Sequence, residues 1–443
     1  MKSHIQTLGC QMNKNDSERI ASVVNHLGYK LTSKQDDADL IIVNTCSVRQ
    51  SAEDRVFGQA RNWNRLKEEN PKLIVAVTGC MPGRDREGIL REKLPMVDFF
   101  FPIKDLPQLP KWISEIQPDI VNSGDLEEDY LKIKPAYTSS KQAFVTINSG
   151  CNNYCTFCVV PYSRGFEKCK SVKDILLEIK ELHDHGYVEI TLLGQNVNTY
   201  RPQDPESFSK DNPYTDSFAA LLWEANQFPG ITRIHFTSPN PQDMSDEVID
   251  ALKLKNNLNI LHLPIQSGSE RILKKMNRRH TRNEYFDIIK KVKKVRPTIA
   301  LATDIIVGFC TETEKDFMDT VDLYKKVQFD ISYTAMYSPR SGTVAGKAWE
   351  DDVPKEEKRR RWDYLQNIMN EIVREKNKVY LNQTAEVLVE SYKNGLATGR
   401  SRELKLVQFP TLDENCVGEL IPIHINKTFE WVLHGTPKKN ITS

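Results

Sequence analysis

Cys151-Asn152-Asn153-Tyr154-Cys155-Thr156-Phe157-Cys158 sets three thiols at C-x3-C-x2-C spacing. Thiolates this close in sequence can wrap one face of a four-iron cubane. A cysteine-held cluster normally takes four such ligands. Three leave one iron open, and an open iron can bind a small molecule. A zinc site completed by a distant His, or three ordinary cysteines, would use the same residues. No His lies within ten residues of the set.

A second set is spread through the first eighty residues. Cys10, Cys46 and Cys80 each close a stretch that reads as a strand: Thr7-Leu8-Gly9-Cys10, Val43-Asn44-Thr45-Cys46 and Val77-Thr78-Gly79-Cys80. All strand C-termini of a parallel sheet share one edge, so these thiols should converge there. The competing reading is three buried cysteines packing as small hydrophobes. Two converging triads imply two clusters, each with an open iron. Cys169, Cys310 and Cys416 share no spacing and are expected to be ordinary, with Cys169 worth watching because it follows Cys158 so soon.

The elements that must position these residues can be read from periodicity. Ser3–Leu8, Leu40–Asn44 and Leu73–Thr78 read as strands, with helices near Asp16–Leu27 and Ser51–Glu69. That alternation predicts a parallel α/β sheet. Gln117–Pro135 is polar and acidic and reads as a linker. Six further strands follow, at Ala143–Asn148, Val188–Leu193, Thr232–Thr237, Asn259–Pro264, Ala300–Val307 and Asp330–Met336. Charged helices such as Lys173–His185 and Asn283–Val295 separate them. Six βα units predict a partial six-stranded barrel, with a doubly wound sheet as the alternative. A charged helix runs from Lys355 to about Tyr380. Beyond it, Glu386–Glu390, Leu404–Phe409, Glu419–Ile425 and Trp431–His434 suggest a small all-β barrel. The expected domains are 1–120, 137–375 and 378–443.

Bulk properties narrow the class. The 443 residues are 39% apolar and 27% charged, which suits a globular chain of two to four domains. No apolar run is long enough to span a membrane, and the start lacks a signal-peptide core, so a cytoplasmic protein is expected. Nine cysteines, an odd number without an export signal, favour metal binding or catalysis over disulfides. The net charge of +1 does not advertise nucleic-acid binding, so any such contact must be local. Arg271–Arg296 carries eleven Lys/Arg against two acids, which fits either phosphate contact or a solvated helix face.

C-x3-C-x2-C after the first strand of a partial barrel resembles the radical S-adenosylmethionine superfamily. The whole chain is similar to its methylthiotransferase family, which joins a three-cysteine N-terminal domain, a radical core and a C-terminal TRAM module. Gly9-Cys10-Gln11-Met12-Asn13 with Asp16-Ser17-Glu18 resembles the MiaB branch, which modifies transfer RNA. So do Cys158-Val-Val-Pro161-Tyr162-Ser-Arg164-Gly165, His262-Leu-Pro264-Ile-Gln266-Ser267-Gly268-Ser269 and Met276-Asn277-Arg278-Arg279-His280-Thr281. The chain departs from the family pattern at Cys169-Lys170, at Cys310-Thr311 and in the TRAM segment Gly399–Lys405. None of these is a cluster ligand.

The resemblance implies two [4Fe–4S] clusters, on Cys151/Cys155/Cys158 for radical generation and on Cys10/Cys46/Cys80 for sulfur presentation. It implies S-adenosylmethionine as cofactor. The implied substrate is transfer RNA carrying N6-isopentenyl-adenosine at position 37, methylthiolated at C2. An electron donor of flavodoxin or ferredoxin type and a monomeric state are expected. Gln195, Ser238 and Gln266, at strand C-terminal ends, are the candidate cofactor contacts. Arg400, Arg402 and Lys405 are the candidate RNA contacts. Rival readings are a methylthiotransferase acting on threonylcarbamoyl-adenosine tRNA or a ribosomal protein, a non-enzymatic iron–sulfur RNA-binding protein, and a zinc-stabilised RNA-binding module.

Overall fold

The computed structural model describes residues 1–47, 50–118, 127–139 and 141–438. Strands β1 (Lys2–Leu8), β2 (Lys30–Leu31), β3 (Leu40–Thr45), β4 (Ile74–Gly79) and β5 (Phe99–Pro102) form a parallel sheet in the order β2-β1-β3-β4-β5. The near-continuous apolar runs of β3 and β4 mark strands covered on both faces. Leu40, Ile42, Ile74 and Ala76 meet Ile20, Val23 and Val24 of helix Gln11–His26. The alternate residues Ile41, Val43, Val75 and Val77 meet Val56, Trp63 and Leu66 of helix Gln50–Glu69.

Residues 119–126 of the expected linker lie outside the described residues. The remainder packs more tightly than its polar composition suggests. Tyr130, Leu131 and Ile133 are buried in the first of these two cores, and Ala136 N–H donates to Glu18 O at 2.9 Å.

The central unit contains β6 (Gln142–Thr146), β7 (Asn148–Ser149), β8 (Lys168–Cys169), β9 (Glu189–Leu193), β10 (Arg233–Phe236), β11 (Ile260–His262), β12 (Ala300–Val307) and β13 (Ile331–Met336). Parallel sheets β6-β9-β10 and β11-β12-β13 are joined by the bridge Ile234↔Asn257. Strand order follows chain order without the reversal of a doubly wound sheet, so the six strands curve as a barrel. Among the described residues β6 pairs only with β9 and β13 only with β12, which leaves one side open. Val145, Leu192 and Ile234 sit in the main core, while the alternate residues Phe144, Thr191 and His235 line the interior. Helix Lys355–Asn377 packs Leu365, Met369 and Val373 into the same core.

The C-terminal strands β14 (Thr384–Lys393), β15 (Leu396–Arg400), β16 (Leu406–Pro410), β17 (Leu420–Thr428) and β18 (Leu433–Pro437) close into a barrel in the order β14-β15-β16-β18-β17. Strand β15 was not expected from sequence, because Gly395 and Gly399 at its ends read as turn residues.

Candidate iron–sulfur site

The sheet register brings the first-domain cysteines together. Leu8 pairs with Thr45, and Thr45 with Gly79. Cys46 and Cys80 therefore leave adjacent strands at the same level, and Cys10 follows two residues after Leu8. Neighbouring strands lie about 4.8 Å apart. Cys46 N–H donates to Leu8 O at 2.7 Å, tying two of the loops. Asn13 Oδ1 accepts from Cys10 N–H and from its thiol, both at 3.3 Å. The Asn13 amide donates to Asn44 Oδ1 at 2.9 Å, and Asn44 Nδ2 returns a bond to Asn13 O at 2.8 Å. These buried amides lock the Cys10 loop to the end of β3. Gly79 turns the chain into Cys80 at φ +102, where a Cβ would lie 2.4 Å from Thr45 O. Cys10 is exposed, while Cys46 and Cys80 are buried.

The C-x3-C-x2-C loop leaves β7 at the C-terminal end of the barrel. Gly150 has φ +85, and a Cβ there would meet Phe166 O at 2.2 Å. Gln195, from the loop after β9, accepts Gly150 N–H at 2.6 Å. Cys158 N–H donates to Cys155 O at 2.9 Å. The far side is held by the loop after helix Glu270–Lys275. Thr156 N–H donates to Met276 O at 3.0 Å, Asn277 Nδ2 donates to Asn153 O and Tyr154 O at 3.1 and 3.0 Å, and Arg278 reaches the Cys155 sulfur at 3.7 Å. Burial pushes the Cys151 thiol up to about 11, and nearby Cys155 adds to the rise. Burial raises Cys158 as well, again with Cys155 second among the causes acting upward. A metal's positive charge would favour the thiolate form of Cys151 and Cys158, which burial disfavours.

One joint connects the two triads. Two residues beyond Cys158, helix Val160–Arg164 begins and packs on helix Cys80–Arg84. The contact is so close that a Cβ on Gly83 would lie 2.1 Å from Ser163 O. Arg164 ends the first helix and pairs with Asp16 at 2.5 Å, both side chains almost fully buried. Tyr130 donates its hydroxyl to the other Asp16 oxygen. Burial raises the Cys80 thiol, the Arg164 charge lowers it and neighbouring Cys10 raises it. At the other end of helix Cys80–Arg84, Arg84 pairs with buried Glu53 at 2.7 Å and donates to Ser341 O at 3.2 Å.

Among the described residues no group of three or more His, Cys, Asp or Glu converges to hold a single metal ion. The donor set of each triad is all sulfur, the ligand type a cysteine-held cluster takes.

A cavity of about 1140 Å³ opens below, along the open side of the barrel. Thr7, Gln11 and Lys14 line it near Cys10, Thr191, His235 and Tyr333 line it inside the barrel, and Arg400, Lys405 and Trp431 line it at the C-terminal module.

Residues 2–102 match the family described as "Uncharacterized protein family UPF0004", and residues 145–324 match the Radical SAM superfamily. The chain is 42% identical over 442 residues to the tRNA-2-methylthio-N(6)-dimethylallyladenosine synthase of Clostridium botulinum, covering 97% of this chain and 96% of the relative. It is 41% identical over 445 residues to the protein of that name from Thermoanaerobacter pseudethanolicus, covering 98% and 92%. The chain belongs to the tRNA-2-methylthio-N(6)-dimethylallyladenosine synthase family. Membership in the radical S-adenosylmethionine superfamily implies one [4Fe–4S] cluster and S-adenosylmethionine. Among solved structures, the radical S-adenosylmethionine methyltransferase TsrM from Kitasatospora setae, with cobalamin and a [4Fe-4S] cluster bound, shares the fold. Its TM-score is 0.55 at 12% identity, covering 78% of this chain and 77% of that one.

The remaining candidates of this synthase-family chain divide by their neighbours. Gln195 braces the cysteine loop through Gly150. Ser238 and Gln266 hold left-handed backbone at φ +61 and +73 on the rim after β10 and β11. Tyr154, Asn277 and Thr311 on that rim share the same strained region, which ordinary side chains enter at a cost of about 1–3 kcal/mol each. Sequence reading missed this cluster of strain, since none of the five is a glycine.

The C-terminal candidates also separate. Arg402 donates to Thr232 O, Lys255 O and Asn257 O at 3.2, 2.9 and 3.0 Å, docking the small barrel on the N-terminal ends of β10 and β11. Lys405 is nearly buried and sits 3.4 Å from Asp330, with burial lowering its pKa. Arg400 is the more exposed of the three, 3.6 Å from Glu390 on the cavity wall. Much of the basic block 271–296 is also engaged within the chain. Arg271 pairs with Asp316, Arg282 with Asp322, and Arg296 caps Leu252 O at 2.7 Å. Cys310 and Cys416 lie in apolar clusters, as expected of ordinary cysteines. Cys169 is half-buried beside Glu167, and burial pushes it up to about 11.

Proposed function

We propose that this chain places a methylthio group on C2 of N6-isopentenyl-adenosine 37 in transfer RNA. The observation that supports it is the packing of helix Val160–Arg164, which begins two residues beyond Cys158, on helix Cys80–Arg84. The names of the near full-length relatives point to the same substrate.

In this reading Cys151, Cys155 and Cys158 hold the cluster that takes S-adenosylmethionine, and Cys10, Cys46 and Cys80 hold a second [4Fe–4S] cluster. When bound, these groups supply hydrogen-atom abstraction and a transferable sulfur, which suits an aromatic C–H that no side chain deprotonates at neutral pH. The chain supplies position and exclusion of water. Gln195 fixes the backbone before Cys151. Gln266 and Ser238 present polar groups at the rim, where the cofactor lies. The cavity receives a splayed nucleotide, as single-stranded RNA loops allow, with exposed Trp431 as a stacking surface and Arg400 facing phosphates. Arg402 and Lys405 hold the small barrel in place for that contact.

The domains are 1–120, 137–375 and 378–443, and the last acts as the TRAM module. The protein works as a cytoplasmic monomer, with a small flavodoxin- or ferredoxin-type protein supplying single electrons. No helix among the described residues is long and apolar enough to cross a membrane.

The test is an anaerobic assay of reconstituted enzyme with isopentenylated and threonylcarbamoylated transfer RNA in parallel, followed by mass analysis of digested nucleosides. Methylthio product from the isopentenylated substrate alone is expected. Product from the threonylcarbamoylated one, or 5′-deoxyadenosine never forming, overturns the reading.

A further inference from the structure

Arg164 reaches the first-domain cysteines from the radical loop, and its bonding is incomplete. One terminal nitrogen, Nη2, donates to Asp16 Oδ2 at 2.5 Å. The other, Nη1, is fully buried with no hydrogen-bond partner. Asp16 is already satisfied on its second oxygen by Tyr130. A buried, charged N–H left unpaired is costly in an apolar setting. The group beside Arg164 is the Cys80 sulfur: burial raises that thiol, and the Arg164 charge and a side-chain hydrogen bond from Arg164 lower it. The Arg164 side chain is almost fully buried and paired with Asp16, beside the close contact of Gly83 with Ser163 O.

We propose that Arg164 donates a hydrogen bond from Nη1 to the sulfur of the Cys10/Cys46/Cys80 cluster at its Cys80 corner, and so raises that cluster's reduction potential. The inference rests on the second cluster proposed above. Reduction adds negative charge to the cluster, and a fixed cation with an N–H aimed at sulfur stabilises the reduced form. The same residue is anchored six positions after Cys158, so correct seating of the radical loop also seats this donor. Arg164 is thus a positioning residue for the second cluster, acting through its ligand shell rather than on the substrate.

The test uses full-length protein in the Cys151→Ala/Cys155→Ala/Cys158→Ala background, where any remaining cluster belongs to the second triad. Arg164→Gln alone would strand a buried Asp16 charge. The neutral pair Asp16→Asn/Arg164→Gln is therefore compared with Arg164→Lys, and each is reconstituted anaerobically and titrated with dithionite under spin-resonance detection. The expected result is unchanged iron content with a midpoint lowered by at least a tenfold shift in the reduced-to-oxidised ratio, about 59 mV for one electron. Arg164→Lys should recover part of it. The same pair in the Cys10→Ala/Cys46→Ala/Cys80→Ala background should leave the first cluster's midpoint in place. An unchanged second midpoint, equal shifts in both clusters, or loss of iron from Arg164→Lys as well as from the neutral pair overturns the inference. If the background protein with native Arg164 and Asp16 holds no iron at all, the second-cluster reading itself fails, and that outcome is distinct from the other three.

Discussion

Gly79→Ala is a one-methyl change that should empty one triad and spare the other. Gly79 sits at φ +102 and ψ −146, a region essentially reserved for glycine, and precedes Cys80 directly. An added Cβ would lie 2.4 Å from Thr45 O and 2.6 Å from Asn44 Oδ1. Neither neighbour can yield cheaply, since Thr45 O is the backbone of β3 and Asn44 is locked to Asn13 and Ser17. Backbone strain of about 1–3 kcal/mol adds to overpacking of about 1–3 kcal/mol, or roughly 2–6 kcal/mol together. That is a large part of the 5–15 kcal/mol, or about that, by which a domain is stable. The strain can be relieved by swinging Cys80 away from the sheet edge, so the cluster should be lost before the fold. The assay is iron and sulfide content after anaerobic reconstitution, alongside urea denaturation and cleavage of S-adenosylmethionine. About half the iron should be lost while cofactor cleavage survives. Full iron content with an unshifted urea midpoint would refute the idea that this turn sets the Cys80 thiol.

The mirror experiment is Gly150→Ala, whose Cβ would meet Phe166 O at 2.2 Å; it should abolish 5′-deoxyadenosine formation while iron on the other triad remains. Arg402→Ala removes three carbonyl contacts between the small barrel and the core, so it should destabilise the chain by about 2–3 kcal/mol without altering the salt dependence of RNA binding. Arg400→Ala should do the reverse, reducing the slope of log affinity against log salt by about one unit, as read by filter binding at several salt concentrations. His280 is buried with both ring nitrogens unpartnered, and burial holds its pKa down to about 3 against 6.5. The unfolded chain therefore binds the extra proton first, and stability falls as pH drops below 6.5, by about 2 kcal/mol at pH 5. His280→Phe should flatten that part of the urea-midpoint profile, and an unchanged slope would contradict it.

The sequence spoke clearly where one periodicity and one chemistry coincided. Leu40-Ile-Ile-Val and Ile74-Val-Ala-Val could only be buried parallel strands, and the cysteines at their ends followed. Strand β15 escaped because its two glycines mimic turns, although the barrel needs Gly399 where Leu388 O approaches within 2.2 Å of a Cβ position. Arg402 and Lys405 looked like free cations because their partners, Thr232, Asn257 and Asp330, are 75 or more positions away. Tyr130 lay in a segment read as linker, yet its hydroxyl completes the Asp16–Arg164 pair. Pairings of that range leave no trace in local pattern, which is also why the joint between the triads could not be foreseen.

Metal content decides whether the two triads hold two clusters. The full chain, purified and reconstituted without oxygen, should hold about eight irons and eight sulfides, as two four-iron clusters require. Changing Cys10, Cys46 and Cys80 together to Ala should halve both counts and leave S-adenosylmethionine cleavage intact. Changing Cys151, Cys155 and Cys158 should halve the counts and abolish cleavage. About four irons in the unaltered chain, or zinc in place of iron, would mean that the triads do not hold two clusters.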